Sequence, residues 1–505
     1  MNTALIIIFG FLLLAIYLGI RATRGKKMDL EQWSVGGRGF GTVFVFFLMA
    51  GEIYTTFTFL GGSAWAYGKG GPAFYILAYI SLAYVLGYWI GPQIWRYAKQ
   101  HKLMSQPDFF VSKYKSPFLG IVVSCAGVLA IVPYIILQFK GLGIIVSEAS
   151  YGSISSTAAI WIGAISLTVY LMISGIHGSA WTAIVKDIMI FIVVLFLGIY
   201  MPFHYYGGLQ PMFEAVHQAN PTFLTLPKTG LSMSWFISTV MLTVLGFYMW
   251  PHTFNATYSA ENENVFRKNS IISPIYTLML LFVFFVGFTA LMQVPGLQGA
   301  EADLSLLRLS IQTFDPWIVG FIGAAGLLTA LVPGSMLLMA ASTSLSKNVY
   351  GVLVPSATGK QISILAKCFV PVIALVSVYF TLHGGNTIVT LLLMGYSIVT
   401  QLFPAFIFSL MKNNIVTKYG ACAGIVAGIA SVMYITITET TLGTLFPALP
   451  QIIKDTNVGV ISLFINLVVL MVVSLATKKI AAQPHFESGA VDENKFCENL
   501  FPIAF

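Results

Sequence analysis

"MAGEIYTTFTFLGG", residues 49 to 62, lies in an apolar run long enough to cross a membrane, yet carries the carboxylate of Glu52 between Gly51 and the pair Gly61 and Gly62. A bilayer offers backbone groups no water, so a spanning segment satisfies them internally or unwinds against protein and a water-filled cavity. An ionisable residue at that depth is a functional candidate by default. Three threonines, Thr55, Thr56 and Thr58, follow the Glu. The stretch therefore reads as a membrane helix that unwinds part-way, where its polar groups face a cavity.

The rest of the chain supports a membrane setting. Of 505 residues, 57% are hydrophobic and only 9% charged, with a mean hydropathy of +0.85, against roughly 25% charged in soluble domains. Apolar runs of about 20 residues, enough for ~30 Å of hydrocarbon, recur about thirteen times. They begin near residues 3, 41, 73, 117, 157, 182, 233, 271, 316, 362, 386, 418 and 457. The first run is followed rather than preceded by basic residues and has no small-residue cleavage pattern, so it reads as a retained helix. With the N-terminus outside, Arg21, Arg24, Lys26 and Lys27, then Arg96, Lys99, Lys102, Lys113 and Lys115, then Arg267 and Lys268, Lys347, Lys412 and Lys418 all face the cytoplasm, as the positive-inside rule requires. The formal charge of +8 then reports orientation against anionic lipid, with no nucleic-acid partner implied.

Cys125, Cys368, Cys422 and Cys497 are widely spaced, without a disulfide or metal pattern. No GxxxxGK[ST] loop and no TVGYG-like filter is present, which points away from a nucleotide-driven pump and a potassium pore. No cofactor motif, enzyme signature or required protein partner is evident, and transport work must draw on an ion gradient. The expected organisation is an extra helix and basic loop over 1–40, a ten-helix core over 41–411, two further helices over 412–480 and a polar cytoplasmic tail over 481–505. Two helices look breakable: the one at about 41–67, and the one at about 233–252 with Gly246 and Pro251. They lie five helices apart, the spacing of an inverted five-plus-five repeat with its binding site at the midplane.

Several segments in series resemble the sodium/solute symporter family. These are "SVGGRGFG" at 34–41, "GGSAWAYGKGGPAF" at 61–74, "QHKLMSQPDFFVSKYKS" at 100–116, "GIHGSAWTAIVKD" at 175–187, "MWPH" at 249–252 and "SLSKNVY" at 344–350. The resemblance covers about residues 30 to 480. It implies an all-α polytopic protein of the plasma membrane with a LeuT-like inverted-repeat core, the second to sixth and seventh to eleventh helices forming the repeats. It also implies a secondary active transporter that imports a small organic solute with a cation by alternating access.

The departures bear on the cation. In sodium-coupled members, by resemblance, one ion sits between carbonyls of the first core helix, here Gly51 and Tyr54, and the eighth, where Thr329 matches the carbonyl position. The family's pair of ligating hydroxyls falls on Val332 and Pro333, whose side chains hold no oxygen, and Na+ needs hard oxygen ligands. Ser335 lies just beyond and a shifted register would restore one ligand. Where many members have an Asp in Trp-Thr-Asp, this chain has Ala183, and Lys186 follows one turn on with Asp187 beside it. Sodium-independent carriers of this fold hold a Lys ammonium in the ion's place, which Lys186 resembles. The alternatives for Lys186 are snorkelling from the start of its helix to the nearby surface, or simple pairing with Asp187.

Glu52 either takes part in the transport path or satisfies amides freed by the break. Thr55, Thr56 and Thr58 are candidate solute ligands, although Thr in membrane helices often bonds its own backbone. Tyr248 is a candidate gate over the solute, with Trp250 and His252 beside it. Interfacial aromatics also act as plain anchors. His177 is expected in a short cytoplasmic connection. The solute resemblance is to permeases of small monocarboxylates such as lactate and pyruvate. An amino acid or vitamin-like acid is the alternative solute, and an uncoupled facilitator the alternative mechanism.

Overall fold

The computed structural model describes residues 2–50, 54–440 and 442–481. Gly51 and Glu52 lie outside the described residues, as does the chain beyond 481. Among the described residues all regular structure is helical, and the one pairing of extended backbone is a bridge between Phe40 and Ala260. Among the described residues ten helices are long and apolar enough to cross a membrane, or eleven if a bent pair counts as one span.

In chain order, α1 is Thr3–Thr23 and α2 consists of two arms, Thr42–Ala50 and a second from Phe57–Gly61 into Gly62–Lys69. Helix α3 is Gly71–His101, and α4 is Pro117–Ala149. The next helix, Ser156–Tyr206, has 51 residues, which at 1.5 Å each would run about 76 Å, far beyond one bilayer. It divides at Gly175, where φ is 51° and ψ −151°, into α5 (156–174) and α6 (176–206). α7 comprises Met233–Phe247 and Pro251–Ser259, bent by 46°. Then come α8 (Asn264–Gln293), α9 (Pro316–Leu353), α10 (Gly359–His383), α11 (Ile388–Leu410) and α12 (Lys418–Ile437), and α13 (Val458–Ala481).

The breaks have local causes. At Gly175 the backbone angles suit only glycine, and an added Cβ would lie 2.7 Å from the Trp33 carbonyl. This moves the start of α6 forward from the expected residue 182, so that His177 and Lys186 both lie inside the helix rather than in a connection or at its first turn. In α7, Trp250 is extended and Pro251 opens the second arm, where the missing N–H is unneeded. In α2, Tyr54 and Thr55 are non-helical and the second arm starts with a π-helical turn.

Helix α9 is the axis of the bundle: 94% of its apolar window is buried, against 33% for α1 and 28% for α13. Helices α1, α4 and α6 pack around it. Close approach at the chain's end comes from Gly420, Gly424 and Gly428, one turn apart on α12, where an added Cβ would run into Ser474, Leu470 or Asn466 of α13.

At the end of the bundle that carries the basic loops, Asp108 locks the short helix Gln106–Tyr114 to the end of α9. It accepts from Lys347 Nζ, from Asn348 Nδ2 at 2.7 Å and from the amides of Met104 and Ser105 at 2.8 and 3.0 Å. At the same end Arg38 donates to the Leu103 carbonyl at 2.7 Å, and the Phe40 amide and carbonyl bond Ser259 and Glu261. Burial pushes the Asp108 carboxyl up, but Lys347, Asn348 and the Met104 amide together hold it below its ordinary 3.8.

Gly175→Ala should lower the thermal midpoint by the equivalent of at least ~1–3 kcal/mol of strain, whereas Gly10→Ala, with open space around its Cβ, should be neutral or mildly stabilising. Thermal unfolding of the two variants in one detergent checks the contrast. Asp108→Asn should cost about 1–3 kcal/mol at neutral pH. Because the folded-state pKa is depressed, this stabilisation is complete above the unfolded carboxylate value and is lost as pH falls through the folded one. The gap between wild type and variant should therefore close in acid, which melting curves across pH report.

Candidate functional site

Lys186 lies ten residues into α6, about 15 Å from its start at 1.5 Å per residue, and is 0% exposed. Its Nζ donates to the Tyr54 carbonyl at 3.1 Å, where α2 is unwound, and pairs with Asp187 Oδ1 at 2.9 Å. That oxygen also accepts from the Tyr276 hydroxyl of α8 at 3.2 Å. The Tyr54 hydroxyl returns to the Tyr276 carbonyl at 3.1 Å, and the two rings meet edge-on at 4.8 Å. Complete burial overturns the snorkelling alternative. The pairing alternative and the contact with a proposed ion-ligand carbonyl hold together in one network.

On the α9 side, Thr329 Oγ1 donates to the Gly326 carbonyl at 2.6 Å. Pro333 has no N–H, so the Thr329 carbonyl loses its α-helical donor and stays available as a ligand. Val332 and Pro333 are wholly buried in the helix. Ser335 does not replace them: its hydroxyl bonds the Val332 carbonyl at 2.6 Å and Ser179 of α6 at 2.7 Å. The oxygen set expected for Na+ is therefore short of side-chain ligands, and an ammonium already bonds one of its carbonyls. Among the described residues no group of His, Cys, Asp and Glu suits a metal ion.

The three threonines divide. Thr55 Oγ1 accepts from the Phe57 amide at 3.1 Å, while Thr58 Oγ1 accepts from the Thr55 amide at 3.0 Å and donates to its carbonyl at 3.1 Å. Both hold the unwound backbone together. Thr56 Oγ1 is buried with no hydrogen-bond partner among the described residues, and packs against Gly141 of α4. On that helix Tyr134 meets Trp250 and His252 at the α7 bend, with ring centroids 5.0 and 5.7 Å apart. Gln138, between Tyr134 and Gly141, is 0% exposed and both its amide atoms lack partners. A buried, unpaired primary amide is costly, which makes Gln138 a candidate binding group. Composition hides it, because a single Gln barely lowers the apolarity of a long helix.

Thr56, Trp250 and His252 thus come from the two broken helices to one stretch of α4, on which Gln138 lies between their contacts. Tyr248 is not in this group, since its hydroxyl lies against Gly87 of α3. His177 is buried at the start of α6 and joins the N-terminal segment, with Nδ1 2.9 Å from Lys26 Nζ and Nε2 3.0 Å from Gln32 Oε1. A Lys donor on Nδ1 places the His proton on Nε2.

A model described as "Sodium:solute symporter family" matches residues 33–428. The chain belongs to the sodium:solute symporter family. It is similar to an uncharacterized symporter, YhjB, of Bacillus subtilis, 71% identical over 95% of this chain and 98% of that one. It is also similar to a monocarboxylate transport permease protein of Rhizobium johnstonii, 28% identical over 82% of this chain and 84% of that one. A solved Na+-coupled sialic acid symporter in a substrate-bound outward-open state has the same fold, with a TM-score of 0.77 at 16% identity, over 94% of this chain and 98% of that one. The symporter fold of a LeuT-like, multi-pass membrane protein is therefore this chain's fold, and the family implies a small solute and a coupling cation, Na+ as the family's name has it.

Lys186→Met should destabilise this symporter by about 3–5 kcal/mol, because it leaves Asp187 as an unpaired buried charge. The double variant Lys186→Met/Asp187→Leu should recover much of that loss. A double-mutant cycle from denaturation midpoints measures the coupling.

Proposed function

We propose that the chain is a secondary active importer of a small monocarboxylate, working by alternating access with its basic end in the cytoplasm. We further propose that the Lys186 ammonium takes the place of the coupling sodium ion. The carrying observation is the 3.1 Å bond from Lys186 Nζ to the Tyr54 carbonyl at a wholly buried position. Protonated, Lys186 holds the unwound stretch of α2 to α6. Once it gives up its proton, that bond loses its charge and Asp187 its counter-ion, which favours separation of the two helices. The coupling cation is then H+, and no step runs through bound Na+.

A monocarboxylate is favoured by the likeness to the Rhizobium permease. A helix N-terminus within a transporter core suits a carboxylate. One proton with one carboxylate carries no net charge. An amino acid as solute would bring its own ammonium group, to which the side chains of Thr56 and Gln138 offer no carboxylate.

The test is uptake of labelled lactate and pyruvate into proteoliposomes, with Na+ and pH gradients crossed. Uptake should proceed without Na+, rise with an inward proton gradient and exceed the external concentration; Lys186→Met should abolish the response to pH. Strict dependence on Na+ would sink the lysine reading, and internal solute that never passes the external level would make the protein an uncoupled facilitator.

A further inference from the structure

Where α4 meets the two broken helices, the described polar groups differ in what they have left to offer. Thr55 and Thr58 use their hydroxyls on backbone. Thr56 Oγ1, Gln138 Nε2 and Gln138 Oε1 remain unpaired and buried among the described residues. They are brought together by α4. A Cβ on Gly141 would lie 2.0 Å from Thr56 Cγ2 and 2.9 Å from its Oγ1, and a Cβ on Gly334 of α9 would lie 3.7 Å from Gln138 Cβ. Only glycine at 141 lets the second arm of α2 reach α4, and Gly334 lets α9 approach Leu167 and the Gln138 stem closely.

A carboxamide offers two donors and an acceptor but no charge. It is therefore poorly matched to serve as the counter-charge of a carboxylate and well matched to a neutral polar group next to one. A hydroxyl would donate to Oε1 and a ketone oxygen would accept from Nε2, with the Thr56 hydroxyl adapting as donor or acceptor. We infer that Gln138, together with Thr56, reads a hydroxyl or oxo group on the carbon beside the solute's carboxylate, so that 2-hydroxy and 2-oxo monocarboxylates are favoured over unsubstituted acids. This inference rests on the monocarboxylate reading above and adds a discrimination within that class. A site built to bond a polar group rejects the analogue that lacks it, because its own buried groups are then left unpaired.

The experiment is equilibrium binding to the purified full chain, by calorimetry, with L-lactate, pyruvate and propionate as probes. Lactate and pyruvate should bind at least about tenfold more tightly than propionate. Gln138→Leu should bring the three within about twofold of one another, with the thermal midpoint and helical circular dichroism of the variant showing that it is folded. Thr56→Val, which keeps shape and loses the hydroxyl, should narrow the gap part-way. Equal affinities in the wild type, or a gap that survives in both variants, overturns the role of Gln138 and leaves the monocarboxylate reading standing. Binding of none of the three acids overturns both.

Discussion

An ammonium buried in a membrane protein has to be met by oxygen, and the arrangement of α2, α6 and α8 follows from how Lys186 is met. Residues one apart on a helix ordinarily point away from each other, but four methylenes let the Lys186 Nζ fold back to Asp187 and still reach the Tyr54 carbonyl. Tyr276 adds a donor to the same carboxylate oxygen. The result ties an unbroken helix, a broken helix and a third neighbour through one charge pair, in surroundings where such pairs interact far more strongly than in water. Losing one member leaves the other charged and buried, so the pair stabilises the fold conditionally.

The broken helices create the opposite demand: backbone groups that need partners. Thr55 and Thr58 answer it at the α2 break with three local hydrogen bonds. At α7 the extended Trp250 and the proline after it confine the defect to one turn. In α9, Pro333 creates a free carbonyl at Thr329 without unwinding the helix. At the two breaks the backbone is thus satisfied close by in sequence, while Thr56 Oγ1 and both amide atoms of Gln138 have no partner among the described residues.

Much of this was legible in the sequence, for identifiable reasons. Apolar length marks a spanning helix whatever its neighbours, and a Gly- and Pro-marked break shows in the residues that make it. The lysine in α6 was visible because charge is rare at that depth. Its depth was misjudged, since the break at Gly175 is made by one residue with an unusual ψ, and nothing in "MISGIHGSAW" separates a kinked continuous helix from a helix that starts near residue 182. Gln138 is not legible in the sequence because what marks it is the lack of a partner, a property of packing. Tyr248 is close in sequence to the α7 bend, yet its ring turns towards α3. Near a helix break, sequence neighbours leave the chain in different directions.

The missing hydroxyls at Val332 and Pro333 and the added ammonium at Lys186 are better understood together than apart. A sodium ion held by neutral oxygens adds one positive charge to the site and can leave. An ammonium supplies the same charge, needs fewer ligands because its own N–H groups direct the bonding, and is tethered. What can leave a tethered cation is only its proton. Hydroxyls at 332 and 333 would add polar atoms to a buried helix, so under the proposed coupling the apolar pair fits the lysine. Under the proposed coupling, α2 cannot part from α6 at low cost while Nζ is charged and bonded to Tyr54, and it can do so when the proton departs. The same bond that stabilises the closed arrangement is then the one whose chemistry sets when it opens.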